Sequence, residues 1–417
     1  MNPITGAMLR ELRLRHELGL RAIAQRAGAK VRLSDGHLSR VERGQRPVTP
    51  AVIATYERAL GVRIHPDTIT TLIAPHEPDH ADQQAFHHTI AALAAGNGPA
   101  LGALGSGHDH QLHEATLTRV PARVTDADIT HLEHAALTVR RLDLRHGGTL
   151  AAQMGAHLLR WALPLCHTGM DDQTGTRLHT AIATLAAATA WAAHDSHEPA
   201  TARTLFTIAV HAAAYADHPD LRAHILTDIA ACNNHAGHPG DALHALRLAD
   251  GDERVHPTVQ AILHGVRART YATLGEAERC HREITRAEQL AVTVDPHHVP
   301  EWLDGWHPTH LTAGTGHAHA DLARQTGDPA HLDQAHQLLI LAAEHLTGVR
   351  PRAAALCLTH LAHTHHTSGD HDQAAKLTTQ AEHLATHLRS NRLNRALAAL
   401  HTTLDEGGPT TGASPWL

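Results

Sequence analysis

Arginine is the residue type that most plainly carries chemistry in this chain, and it is concentrated at one end. Residues 1–66 hold twelve Lys or Arg against five Asp or Glu, a net +7, whereas the rest of the 417-residue chain is −14, giving −7 overall. A guanidinium-rich segment of this kind is where a polyanion binds. Histidine is the second type to weigh, with 44 copies. Pairs at helical i,i+3 or i,i+4 spacing, such as His131 with His134, His360 with His363 and His383 with His387, could share a metal ion. None joins a carboxylate and a third ligand recognisably, and histidine is spread wherever a polar group on a solvated face would serve, so neither a metal site nor a cofactor is expected. Side chains that titrate near pH 6.5 do make charge, and hence solubility, sensitive to acid.

The chain lacks the patterns of an enzyme. There is no Gly-rich phosphate loop, no Ser/His/Asp set with a nucleophile elbow and no HExxH, and the GxGHxH strings at 105–110 and 314–319 read as flexible turns. Cys166, Cys232, Cys280 and Cys357 stand far apart with no CxxC pair, which suggests neither a disulfide framework nor a thiolate zinc site, and fits a reducing cytoplasm. The start, MNPITGAMLRELRLRH, turns charged too soon for a signal peptide. The most apolar run, 181–193, is too short to span a bilayer and reads as a buried helix. Two further groups are candidates for binding a ligand. Asn233 and Asn234 can donate to and accept from a peptide backbone, or cap a helix before Gly237. Trp302 and Trp306, at i,i+4, can stack on a ligand or plug a core.

These residues need elements to hold them, and the composition predicts an all-α protein. Hydrophobic residues make up 42% and aromatic ones only 2%, so the apolar surface is mostly Ala and Leu, which pack helix on helix. Four short helices are expected first: Thr5 to His16, Leu20 to Ala27 ending at Gly28, Gly36 to Arg43 capped by Ser34 or Asp35, and one starting at Thr49-Pro50 and ending at Gly61. Residues 71–125 loosen into a linker with one partial helix near 82–95. Helical periodicity returns at 126–145 and 149–165, separated by Gly147-Gly148. It then recurs in pairs near 176–216, 220–250, 256–292, 309–347 and 352–388. The expected organisation is a helix-turn-helix bundle over 1–70, the linker over 71–125, a helical repeat domain over 126–405 and a disordered tail over 406–417.

The strings LRAIAQRAG and HLSRVERGQRPVTP resemble the Cro/repressor-like, or XRE, family of helix-turn-helix domains over about the first 70 residues. The resemblance implies that Ile23, Ala24, Ala27, Leu38 and Val41 pack the two helices of the motif. It implies that Asp35, His37 and Arg40 face base edges in the major groove, with Ser34, Arg43, Gln45 and Arg46 on phosphates. Glu42 would be structural, paired with an Arg of the first helix, Arg10. Two departures stand out. Leu20 occupies a position where many members carry a phosphate-binding Gln, and Lys30 to Leu33 lengthen the turn.

The helix pairs resemble tetratricopeptide repeats, in strings such as AGHPGDALHALRLA at 236–249 and TSGDHDQAAKLTTQAEHLA at 367–385. Together the two resemblances imply a cytoplasmic regulator of the actinobacterial type, sequence-specific for double-stranded DNA. It would form a homodimer through the repeats and bind a peptide or small-molecule effector in their groove, as peptide-sensing (quorum-sensing) receptors of Gram-positive bacteria do. Two alternatives are a DNA-tethered scaffold whose repeats bind a protein partner, and a ligand-independent repressor.

Overall fold

A computed structural model describes residues 4–15, 19–27, 33–43, 45–60, 64, 80–94, 123–294, 299–303 and 306–406. Among them are eighteen α-helices and no strand. Contacts divide the chain into two units, Met1–Asp79 and His80–Leu417.

The first unit is a bundle of α1 (Gly6–Arg15), α2 (Leu20–Arg26), α3 (Asp35–Glu42) and α4 (Pro50–Leu60). Local chemistry sets these ends. Ser34, in extended backbone, accepts the His37 N–H through its hydroxyl and so caps α3, and Pro50 supplies the pre-set φ of a first helical residue. Leu9, Leu12, Ile23, Leu38, Val41, Val52 and Tyr56 form the core. Lys30 to Arg32, the lengthened turn, lie outside the described residues.

The second unit is built from adjacent antiparallel helices. α5 (His80–Ala94) is followed by α6 (Asp126–His146) and α7 (Gly148–Ala162), with a 3-10 turn at Leu163–His167. Five pairs then follow: α8 (Asp172–Asp195) with α9 (Pro199–Tyr215), α10 (Pro219–His235) with α11 (Pro239–Ala249), and α12 (Pro257–Thr273) with α13 (Ala277–Thr293). After a 3-10 turn at Glu301–Leu303 come α14 (Thr309–Thr326) with α15 (Pro329–Leu346), α16 (Pro351–Thr367) with α17 (His371–Ala385), and a last helix, α18 (Asn391–Glu406). All five expected pairs are present within a few residues of their expected ends. Six of these helices open on proline, and Gly237, Gly275, Gly327 and Gly369 take positive φ at the turns inside four of the pairs. At Gly237 with Pro239 and Gly327 with Pro329 the left-handed residue ends one helix and the proline starts the next.

Alanine lets the helices approach closely. The apolar run at 181–193 sits in α8 with nearly every side chain buried, and no helix among the described residues is long and apolar enough to cross a membrane. The expectation of a turn at 314–319 is corrected, because Gly314 to His319 lie inside α14. A Cβ on Gly316 would come within 2.8 Å of Leu339 Cγ, so this glycine serves helix contact, not chain reversal. The string at 105–110 lies outside the described residues, as do 95–122 and 407–417. The helix at 80–94 packs on α9 and α11, with Gln83 Nε2 donating to Asp241 Oδ2 at 2.7 Å, and thus belongs with the second unit.

The array curls until its last pair meets its first. α16 packs on α6, and α18 packs on α8. Arg352 at the start of α16 makes a two-pronged contact with Asp143 of α6 (2.8 and 2.7 Å) and reaches Asp195 at the end of α8 (2.9 Å). Asp195 also accepts the Ser390 hydroxyl (2.8 Å) and the Gly148 N–H (2.9 Å). Gly147, at φ +94°, is pressed against the Arg389 carbonyl, where no side chain would fit. Arg352, Asp143 and Asp195 are all buried. Burial would lift the Asp195 pKa, but Arg352 and Arg392 outweigh it and hold the carboxyl below its usual range.

Candidate DNA-binding surface and effector cavity

In the first unit, α3 carries the candidate surface because its sequence gives it one apolar edge only. Leu38, Val41 and Glu42 are buried, which turns Gly36, Ser39, Arg40 and Arg43 outward at i, i+3, i+4 and i+7. Arg40 lies near the middle of this face. Asp35 and His37 flank it; Asp35 Oδ1 accepts the Gly36 N–H at 2.8 Å, and the His37 ring lies 3.0 Å from an Arg46 nitrogen. Ser34, Arg43, Gln45 and Arg46 are exposed around the two ends of the helix. Ser39, beside Arg40 on the outward face, is a candidate that the sequence reading passed over; the period of 3.6 residues was the signal for it.

Glu42 is corrected in its partner. Its carboxylate pairs with Arg13, not Arg10, at 2.7 and 2.8 Å through Nε and Nη2, and it also accepts the Tyr56 hydroxyl at 2.6 Å. The reason is helix phase. Arg13 lies one turn beyond Leu9 on the core-facing side of α1, whereas Arg10 is rotated into solvent. The bond to Glu42 raises the Arg13 pKa, and burial, then Glu42, raises that of Tyr56, so the guanidinium and the phenol both keep their protons across the ordinary pH range. Leu20 is half-buried against the core, which accounts for an apolar residue there.

In the second unit, the first helices of successive pairs, together with α6, surround a cavity of about 290 Å³. Of the four residues expected to meet a ligand, Asn234, Trp302 and Trp306 line it and Asn233 does not. Asn234 donates to the Thr270 hydroxyl at 2.7 Å, yet its Oδ1 has no partner among the described residues. Neither asparagine side chain caps the helix; the turn before His238 is closed by backbone bonds to Asn233 O and Asn234 O. The two indoles do not share a helical face, since Trp302 is in the short 3-10 turn and Trp306 follows it, between Pro300 and Pro308.

The wall is polar in a specific way. Besides Asn234 Oδ1, the buried atoms Arg140 Nε, His224 Nδ1, Trp306 Nε1 and His310 Nε2 all belong to cavity-lining residues and have no hydrogen-bond partner among the described residues. Buried polar atoms are nearly always paired, so this cluster makes the cavity wall a candidate binding surface. Burial pushes His310 down to about 3, and it likewise lowers His224, so both rings are neutral near pH 7. Burial raises the Asp228 carboxyl, with His224 Nε2 3.6 Å away and the Arg140 charge opposing the shift. Arg140, His310 and Asp228 carried no sequence signal, because they come together only when three helices are brought around one axis.

Residues 5–67 match a family of helix-turn-helix domains. No curated protein and no solved structure matches the chain. The chain thus carries a helix-turn-helix domain at its N-terminus and a helical, repeat-packed unit behind it, an arrangement that supports a DNA-binding regulator.

Proposed function

We propose that the protein is a sequence-specific transcription regulator of the XRE type whose tetratricopeptide-like unit binds an effector and thereby alters DNA binding. Arg40 reads base edges, with Asp35 and His37 beside it, while Ser34, Arg43, Gln45 and Arg46 grip phosphate. The protein acts as a homodimer in the cytoplasm, since one such helix contacts too little DNA for tight specific binding and the family reads paired half-sites. An actinobacterial origin accords with the scarcity of lysine, present only at Lys30 and Lys376.

The observation that carries the sensing role is the set of unpartnered polar atoms on one cavity. At about 290 Å³ it lies just below the roughly 300–1,000 Å³ typical of small-molecule sites. The effector is therefore a small molecule, stacked on Trp302 or Trp306 and bonded by Asn234 and Arg140. It acts by preferring one arrangement of the dimer; a hundredfold preference is worth about 2.7 kcal/mol, enough to shift an operator complex.

The test starts by selecting bound fragments from genomic DNA with the full chain. Their affinity is then measured by fluorescence anisotropy with and without the low-molecular-weight fraction of a cell extract. The fraction should change affinity for the parent and leave Trp306→Leu and Asn234→Ala unaffected, with basal DNA binding intact. A normal response from both variants would place sensing elsewhere, and a response only to the macromolecular fraction would favour the scaffold reading.

A further inference from the structure

Away from the cavity, three histidines from three helices converge on one point. His281 lies in the second turn of α13, His319 in the middle of α14 and His331 in the first turn of α15. One ring nitrogen from each falls within 4.8 Å of the others. His319 Nδ1 and His331 Nδ1 are 3.1 Å apart, and the ring centroids are separated by 5.2 to 5.7 Å.

We propose that His281, His319 and His331 form a binding site for a divalent transition-metal ion of the zinc class, which joins one helix pair to the next. Zinc held by imidazole at about 2.0–2.1 Å in tetrahedral geometry places its ligand atoms roughly 3.3 Å apart, close to the spacing already set between His319 and His331. An all-imidazole set suits Zn²⁺, Ni²⁺ or Cu²⁺ and not Mg²⁺ or Ca²⁺, which take oxygen. Three ligands leave a four-coordinate ion one position for an exchangeable group.

Each ligand is anchored by its neighbours. Cys280 and Ala318, adjacent in sequence to His281 and His319, are fully buried in a small core with Ala268, Ala272 and Leu322. His331 follows the turn fixed by Gly327, at φ +71°, and by Asp328 Oδ1, which caps the Ala330 N–H at 2.9 Å. The ion would tie α13 to α15, two helices that otherwise barely touch. None of the three histidines belongs to the i,i+3 and i,i+4 pairs visible in the sequence; the group exists only across a repeat boundary.

Full-length protein, stripped with chelator and dialysed, is titrated with Zn²⁺ by calorimetry, and with Co²⁺ while its visible absorption is followed. The parent should bind one equivalent more tightly than the background of other histidines, with the absorption of a four-coordinate cobalt site. His319→Asn and His331→Asn should each lose that equivalent, by more than the roughly 10–100-fold that removal of an outer-shell partner costs. The control H131N/H134N should keep it. Zn²⁺ should raise the Tm of the parent and of the control but not of the two single variants. His331 is only partly buried at a helix start, so its variant is expected to fold, and metal-free Tm values equal to the parent's verify that. The proposal is overturned if the parent shows no equivalent above background, or if His319→Asn and His331→Asn retain it.

Discussion

Both units of the molecule bury an arginine against carboxylate, and the two clusters differ in how far along the chain they reach. Arg13 and Glu42 are 29 residues apart in a small bundle, with Tyr56 completing the set. Arg352 and Asp143 are 209 apart, and with Asp195 they join the last helix pair of the repeat unit to the first. The first cluster fixes one helix against another where a leucine core already exists. The second closes an array whose pairs otherwise contact only their neighbours, so it governs the shape of the cavity inside. Asp143 itself lies on the cavity wall. A buried ion pair often adds little net stability, yet removing one partner is costly, and that asymmetry makes both clusters testable.

The largest expected effect is collective and separates the units by acid. Burial lowers His194, His310 and His363 to about 3 and His360 to about 4, all in the second unit. Among the described residues of the first unit no histidine is buried. The sign follows from linkage: the unfolded chain takes up these protons near pH 6.5 and the folded chain does not until pH 3–4. The stability is thus fully present above 6.5 and is lost as the pH falls from 6.5 toward 4, by up to about 1.4 kcal/mol per pH unit for each site. All five tryptophans lie beyond residue 160, so urea unfolding followed by indole fluorescence reads the second unit alone. Its midpoint should drop sharply between about pH 7 and about pH 5. An unchanged midpoint would mean that these rings are solvated.

Next in size is the closure itself. Arg352→Ala leaves Asp143 and Asp195 buried with less compensation and should cost about 3–5 kcal/mol, read by the same indole signal. Opening the ring should also expose the cavity, so the effector response should vanish with the stability. In the first unit, Tyr56→Phe removes one hydrogen bond to a charged acceptor and should cost about 1.5–3 kcal/mol. Hydrogen exchange of α3 in the full chain should accelerate, with the indole transition unmoved. Coupled loss in both units would contradict the independence of the two clusters.

How much of this was legible in the sequence follows the same division. The helix pairs were, because Gly at the C-terminal cap and Pro at the next helix start are local signals that recur, as at Gly237 with Pro239 and Gly327 with Pro329. Closure was not. Asp143 and Arg352 look like ordinary charges on helices, and only three-dimensional curvature decides that they face each other. The error at Arg10 had a different origin: family resemblance gave an arginine on α1, and helix phase, read from Leu9 and Leu12, would have given Arg13. Trp302 and Trp306 reached the cavity for a reason other than their i,i+4 spacing, since Pro300 and Pro308 break up the helix that the spacing presumed. Asn234 lines the cavity and Asn233 beside it does not, a difference that residue type could not foretell.

The smallest effect is the most specific, and it sharpens the contrast between the basic unit that carries the helix-turn-helix and the acidic unit behind it. Arg40 is exposed near the centre of the outward face of α3, whereas Arg46 lies beyond the helix end, against His37. A guanidinium on a base edge contributes about 1–3 kcal/mol of discrimination, while one on a phosphate carries no sequence information. Arg40→Ala should therefore flatten the preference among selected fragments and change random-sequence affinity little. Arg46→Ala should weaken all fragments alike and reduce the slope of log K against log salt by about 0.9, the value for one neutralised phosphate. Binding isotherms for the two variants over a salt series, on one selected and one scrambled fragment, separate the roles. If Arg46→Ala changes the preference and Arg40→Ala changes only the slope, the assignment is reversed, and base reading lies past the end of α3.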